Sequence, residues 1–142
     1  MILLNDKGVS MDTIKKVLVE HAIRPTSQRA EIAKALLCEP QHLSADQVLS
    51  RVNALRTLVS KATVYNTLNL FVERGLIREV IIDSGKVFYD SNTDTHHHLY
   101  NEDTGMLQDI NASELRIDSL PALPAGTIGT GIDVIIRIRN KP

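Results

Sequence analysis

Residues 94–100 read Asp-Thr-His-His-His-Leu-Tyr, so three of the chain's five histidines stand side by side. Imidazole nitrogens hold first-row divalent metals, and carboxylates beside them make a mixed nitrogen–oxygen set suited to Fe²⁺, Mn²⁺ or Zn²⁺. On a strand, alternate side chains share a face, which sends His96 and His98 one way and His97 the other. A second strand-like stretch, 106–111, follows the turn-like Glu102-Asp103-Thr104-Gly105 and carries Asp109. A turn centred on Asp103-Thr104 sets Asp109 across from His98. A one-residue slip turns it to the other face, and Gly105 also permits a bulged turn. Asp90 lies six residues before His96, and His42 stands just ahead of a helix start. Taken alone, such a run is also simply a solvated strand. His96, His98 and Asp109 are equally the donor set of a non-haem metal enzyme.

The elements that must position these groups are legible from periodicity. Ile14, Val17, Leu18 and Ala22 recur at helical spacing, and Pro25-Thr26 separates that helix from a second one bearing Ile32, Ala33, Leu36 and Leu37. Pro40 ends the second helix. Ser44-Ala-Asp-Gln47 is a capping box that opens a third helix, and Ser60 caps a fourth that ends near Arg74, with Gly75 at C′. His21 falls at the C-terminal end of the first helix, near its dipole. LIREVIID and KVFYD, separated by Asp83-Ser84-Gly85-Lys86, form a hairpin. This order describes a winged helix-turn-helix, with the fourth helix placed to enter a DNA major groove. Val64, Leu68 and Phe71 form its buried side, and Ala62, Tyr65, Asn66 and Asn69 the opposite one. Ser60, Lys61 and Thr63 lie at its N-terminal end, the end that approaches DNA in such motifs. A protein-binding role for the same unit remains open on this pattern.

Composition narrows the class. Of 142 residues, 43% are hydrophobic and 23% charged, as in ordinary globular chains. No run of eighteen apolar residues is present, and the opening MILLNDKGVSMD has no basic n-region, so a cytoplasmic location with no membrane association is expected. A single cysteine, Cys38, excludes a multi-cysteine zinc site built within the chain. Residues 1–90 carry twelve Lys and Arg against ten Asp and Glu, while residues 91–142 carry four against seven. A mildly basic front half suits phosphate, and an acidic back half suits a cation. The expected fold is α+β: a winged-helix DNA-binding domain over 1–90, then a small α/β dimerisation and sensing domain with an antiparallel sheet over 91–142. In the final strand, Ile132, Val134, Ile136 and Ile138 share one side, with Asp133, Arg137 and Arg139 on the other. So short a second domain needs a partner surface to stabilise it, and a homodimer would also present two reading heads to a palindromic operator.

IRPTSQRAEI, HLSADQV, SKATVYNTLNLFVERGLI and DTHHHLY followed by Asp109 together resemble the ferric uptake regulator family over about residues 11–139. The resemblance implies a dimeric, metal-responsive transcription regulator. It implies that His42, Asp90, His96, His98 and Asp109 are the regulatory metal ligands, and that Arg24, Lys61 and Tyr65 contact DNA. Asn66 stands where many members have Arg. Asn101 and Thr104 occupy the positions of a Cys-x-x-Cys pair, so the structural zinc that many members hold with four cysteines is expected to be absent. The helix that usually precedes the last strand is reduced to SLPALPAGTIGTG. ATVYNTL, GLIREV and the uninterrupted histidines are similar to the iron response regulators of alphaproteobacteria. That branch implies regulation of iron and haem genes, with His96, His97 and His98 implicated in haem binding. Cys38-Glu39-Pro40 is not that branch's haem motif, and Cys38 reads as a small buried hydrophobe. Asp109 also fits a peroxide-sensing member.

Overall fold

The structure is a computed structural model that describes residues 10–39 and 41–142. Most of the opening MILLNDKGVSMD stretch and the Pro40 helix stop lie outside the described residues. The chain divides into two compact units, Met1–Asp94 and Thr95–Pro142.

The first unit holds α1 (Met11–Glu20), α2 (Ser27–Leu37), β1 (His42–Leu43), α3 (Ala45–Val52), α4 (Lys61–Glu73), β2 (Arg78–Asp83) and β3 (Lys86–Asp90). Each helix starts on a hydroxyl cap. The side chains of Ser10, Thr26, Ser44 and Ser60 accept from the backbone N–H three residues on, and Ser44 and Gln47 close the anticipated capping box. Ile14, Leu18, Ile32, Leu36, Val48, Val64, Leu68 and Phe71 are wholly buried and join in one core. The hairpin forms at the expected turn. Its sheet has a third member that periodicity did not show: the two-residue β1 pairs with β3 in the order β1-β3-β2. His42, just ahead of α3 as expected, is therefore a strand residue opposite Asp90.

Two helix ends share one device. At α4, Leu76 N–H donates to Phe71 O and Gly75 N–H to Val72 O; at α1, Ile23 N–H donates to Leu18 O and Ala22 N–H to Val19 O. Both are Schellman motifs, which need a left-handed residue at C′. Gly75 meets that need at φ +74°, whereas Ala22 does so at φ +57°. An L-residue there costs roughly 1–2 kcal/mol, partly offset by the backbone entropy that alanine saves over glycine. Ala22→Gly should therefore stabilise the protein by about 0.5–1 kcal/mol, read as a higher urea midpoint with an unchanged slope. A lower midpoint would show that alanine is unstrained there. His21 behaves as anticipated for a helix C-terminus: its Nδ1 lies 2.8 Å from the Val17 carbonyl.

Asn53 fixes the connection into α4. Its Nδ2 donates to Val59 O at 2.9 Å, and its Oδ1 accepts from Leu58 N–H at 2.9 Å and Val59 N–H at 3.1 Å. A half-buried amide using both ends in this way sets the angle at which Ser60 begins the helix. Asn53→Leu should cost about 1–3 kcal/mol, because backbone groups at Leu58 and Val59 lose their partners. Thermal unfolding measures this directly, and a shift under about 1 °C would remove Asn53 from the account.

The second unit contains β4 (His97–Asn101), β5 (Leu107–Ile110), a 3-10 turn at Ala112–Glu114, and β6 (Ile135–Ile138). The order is β5-β4-β6. β4 and β5 are antiparallel, but β6 runs parallel to β4, so the sheet is mixed rather than antiparallel throughout. β5 ends opposite His97 and β6 begins beside His98, at the same end of β4, so the long segment 111–134 has only to lead from one side of β4 to the other. That segment contains no α-helix, so the α/β character expected for this unit is reduced to one 3-10 turn. β6 is also shorter than the eight-residue run of alternation suggested, because Ile132 and Asp133 lie before its first ladder partner.

The β4–β5 turn is closed by side chains. Asn101 Oδ1 accepts from Asp103 N–H at 2.9 Å and Thr104 N–H at 3.2 Å, and Thr104 Oγ1 accepts from Met106 N–H. The chain end is clasped to the same turn. Asn140 N–H donates to Asp103 Oδ2, Asn101 Nδ2 donates to Asn140 Oδ1, and Arg139 pairs with Glu102 at 3.3 Å.

Candidate metal centre and nucleic-acid face

The register left open by the sequence is His98 opposite Asp109. Directly paired residues share a face, so His98 and Asp109 lie together. His96, just before β4, joins them. Its Nε2 lies 3.2 Å from Asp109 Oδ1, and His98 Nε2 lies 3.3 Å from the same oxygen. The two imidazoles meet edge to face at a centroid separation of 4.6 Å. Both histidines are buried, while the Asp109 carboxylate is 44% exposed. His97 turns away as predicted, and its Nδ1 accepts from Val134 N–H at 3.1 Å. That bond ties β4 to the residue leading into β6.

These distances can be tested against a cation. With metal–ligand bonds of about 2.0–2.2 Å, donors on one ion stand about 3.0–3.5 Å apart in octahedral or tetrahedral geometry. The separations of 3.2 and 3.3 Å match that spacing. In the first unit, His42 Nε2 lies 3.0 Å from Asp90 Oδ2, and Asp90 Oδ1 accepts from Asn92 N–H at 2.8 Å. Beside Asp90, the fully buried Ser91 hydroxyl has no hydrogen-bond partner among the described residues. A buried hydroxyl in that state costs about 1–3 kcal/mol, which a hydrated ion nearby would relieve. The residues therefore fit a nitrogen–oxygen cation.

On α4, Lys61, Ala62, Tyr65, Asn66 and Asn69 are exposed as the periodicity indicated, and Thr63 is half-buried. Ser60 Oγ is spent on the cap, accepting from Thr63 N–H and donating to Thr63 Oγ1. Lys61 Nζ lies 5.9 Å from the centre of the Tyr65 ring and 3.7 Å from Asp46 Oδ1. Asp46 was legible only as part of the capping box. Its pairing with Lys61 has no sequence signature, since fourteen residues, a loop among them, separate the two. Arg24 is exposed just before α2, and its carbonyl accepts from Arg29 Nη1 at 3.2 Å. Behind Tyr65, burial, the Glu79 carboxylate and Tyr65 itself raise the Tyr89 phenol above its ordinary range, keeping it a neutral wall beneath the helix.

Fold and site together define a winged helix-turn-helix protein with a second, sheet-based unit that carries histidine–carboxylate donors. The chain belongs to the ferric uptake regulator family, which matches residues 20–120. Members of this family are transcription regulators, not enzymes, so the reading of His96, His98 and Asp109 as a non-haem metal enzyme is set aside. Among curated relatives, the chain is 29% identical over 93 residues to the peroxide-responsive repressor of Staphylococcus epidermidis, covering 66% of this chain and 62% of that protein. It is 30% identical over 98 residues to the peroxide-responsive repressor of Staphylococcus aureus, covering 69% of this chain and 66% of that one. The chain thus spans somewhat less than two thirds of these relatives' length. Among solved structures, the ferric uptake regulator of Pseudomonas aeruginosa with manganese superposes with a TM-score of 0.67 at 23% identity, covering 89% of this chain and 97% of that one, a likeness of fold.

Proposed function

We propose that this protein is a dimeric transcription regulator whose binding to an operator depends on a divalent cation. The observation that carries this reading is the convergence of His96 and His98 on one oxygen of Asp109 at ion-like spacing. The family pattern adds His42 and Asp90 to that ligand set. When bound, the cation supplies a fixed positive centre that favours one arrangement of its ligands over others. Residues 1–90 serve as the DNA-reading part and residues 91–142 as the dimerising and sensing part. Lys61, Tyr65 and Asn66 contact the operator, Arg24 anchors phosphate, and Ser60 and Thr63 lie at the same DNA-facing end of the helix.

Two refinements are proposed for what the site senses. The first is iron and haem status, as in the branch with an uninterrupted histidine run. The imidazoles which that reading names are His96, His97 and His98, all three of them buried. The second is peroxide, favoured by Asp109 and by the names of the curated relatives. Binding to a labelled fragment of the protein's own promoter separates them, with chelator, Mn²⁺, Fe²⁺ plus peroxide, or haemin added in turn. Binding that needs Mn²⁺ and ignores haemin supports cation activation. Binding lost only with Fe²⁺ and peroxide supports the peroxide reading. Loss with haemin alone, after survival in chelator, supports the haem reading. Absence of salt-dependent, sequence-specific binding in every arm overturns DNA recognition and leaves a protein-interaction module.

A further inference from the structure

The second unit leaves two apolar surfaces uncovered. On the face opposite His98, β4 and β6 present Leu99, Ile136 and Ile138, with Met106 beside them. Met106, Ile136 and Ile138 are 57, 40 and 38% exposed, and a groove lies among Leu99, Met106 and Ile138. The second surface is the segment 115–132. Leu120, Leu123 and Ile128 are 64, 57 and 87% exposed on it. Both surfaces belong to the same unit, and within one chain they do not cover each other.

The segment is not built like a solvated loop. Residues 119–132 contain no charged side chain. Its tip is closed by a turn in which Thr127 N–H and Oγ1 both donate to Pro124 O and Gly126 takes φ +79°. Beyond the turn, a side chain at Gly129 would meet Leu123, so the two limbs run close together. This is a folded arm with an apolar surface. A ten-residue limb such as 115–124 can extend about 30 Å, twice the width of a three-stranded sheet of about 15 Å.

We infer that the arm of one copy covers the apolar sheet face of a second copy, in a reciprocal exchange. The inference rests on the dimer proposed above and specifies how that dimer is held. Arm and face lie on the same chain, so a twofold axis makes both contacts at once. The unit also needs them. Its buried hydrophobic residues are Tyr100, Leu107 and Ile110, and it contributes none to the large core cluster. A unit of this size with so little inside is completed by a partner.

Engineered cross-linking of the full chain tests this, with Cys38 changed to Ser. Two differently tagged chains are co-expressed, one with Leu123→Cys and the other with Ile138→Cys. Leu120→Cys with Met106→Cys gives a second pair, so that one poorly aligned thiol does not decide the result. Oxidation should join the two tags at least tenfold more than it joins like chains. Closure of a doubly substituted chain on itself, or no mixed product from either pair, overturns the exchange. Sedimentation of the unmodified protein separates the two ideas. A mass of one 15.8 kDa chain ends both, whereas twice that mass without mixed cross-links ends only the exchange.

Discussion

His96→Ala should lower Mn²⁺ affinity by at least about 100-fold, since even the loss of a group that merely supports a metal ligand costs 10–100-fold. Fold should survive. The partner left behind, Asp109, is 44% exposed and regains water when the imidazole goes. The melting temperature of the metal-free protein should move by less than about 5 °C, corresponding to roughly 1 kcal/mol. Calorimetric titration with Mn²⁺ and a melting curve in chelator provide the two readouts. An unchanged affinity would remove His96 from the site. Loss of affinity accompanied by collapse of the melting temperature would make it a structural residue. Asp109→Ala carries the sharper expectation, because its Oδ1 faces both imidazoles and its removal leaves their Nε2 atoms with no shared acceptor.

Tyr65→Ala should weaken operator binding by about 1–3 kcal/mol, roughly 5–150-fold, and do so unequally across operator sequences if the phenol reaches a base edge. Lys61→Ala should weaken binding to all sequences alike and reduce the salt slope by about 1. The two are expected to differ because Lys61 starts the helix, the end proposed to meet backbone phosphate, while Tyr65 is one turn further in. Lys61 rests against Asp46 and the Tyr65 ring in the absence of DNA. The exposed ion pair is weak, so a phosphate can displace Asp46 at little cost. Fluorescence anisotropy at several salt concentrations checks both variants, and equal losses with unchanged slopes would contradict these separate roles.

How much of this was readable beforehand depends on range. The caps at Thr26, Ser44 and Ser60 and the glycine after α4 are local chemistry, and each lies where the residues put it. The facing of His96 against His97 follows from strand alternation alone. The Asp109 register was a choice between two turns, settled only by how Asn101 caps its own loop. β1 escaped notice because two residues carry no period, and its existence depends on β3, a strand far along the chain. Asn53 and Asp46 likewise act through contacts that no spacing encodes. The parallel entry of β6 could not be read from its alternation, which is the same for either direction.

The clasp between the Asn101–Gly105 turn and the chain end has a consequence for metal supply. It consists of amides, a carboxylate pair and backbone donors, none of which needs a cation. Where such a turn is held by a zinc ion, starvation for metal threatens the fold itself. On the proposed reading, loss of the ion from the sensor leaves these contacts in place, so the sheet is expected to persist. Under the proposed function, the pool of apo-protein is a standing reserve that recharges as soon as the ion returns, without new synthesis or refolding.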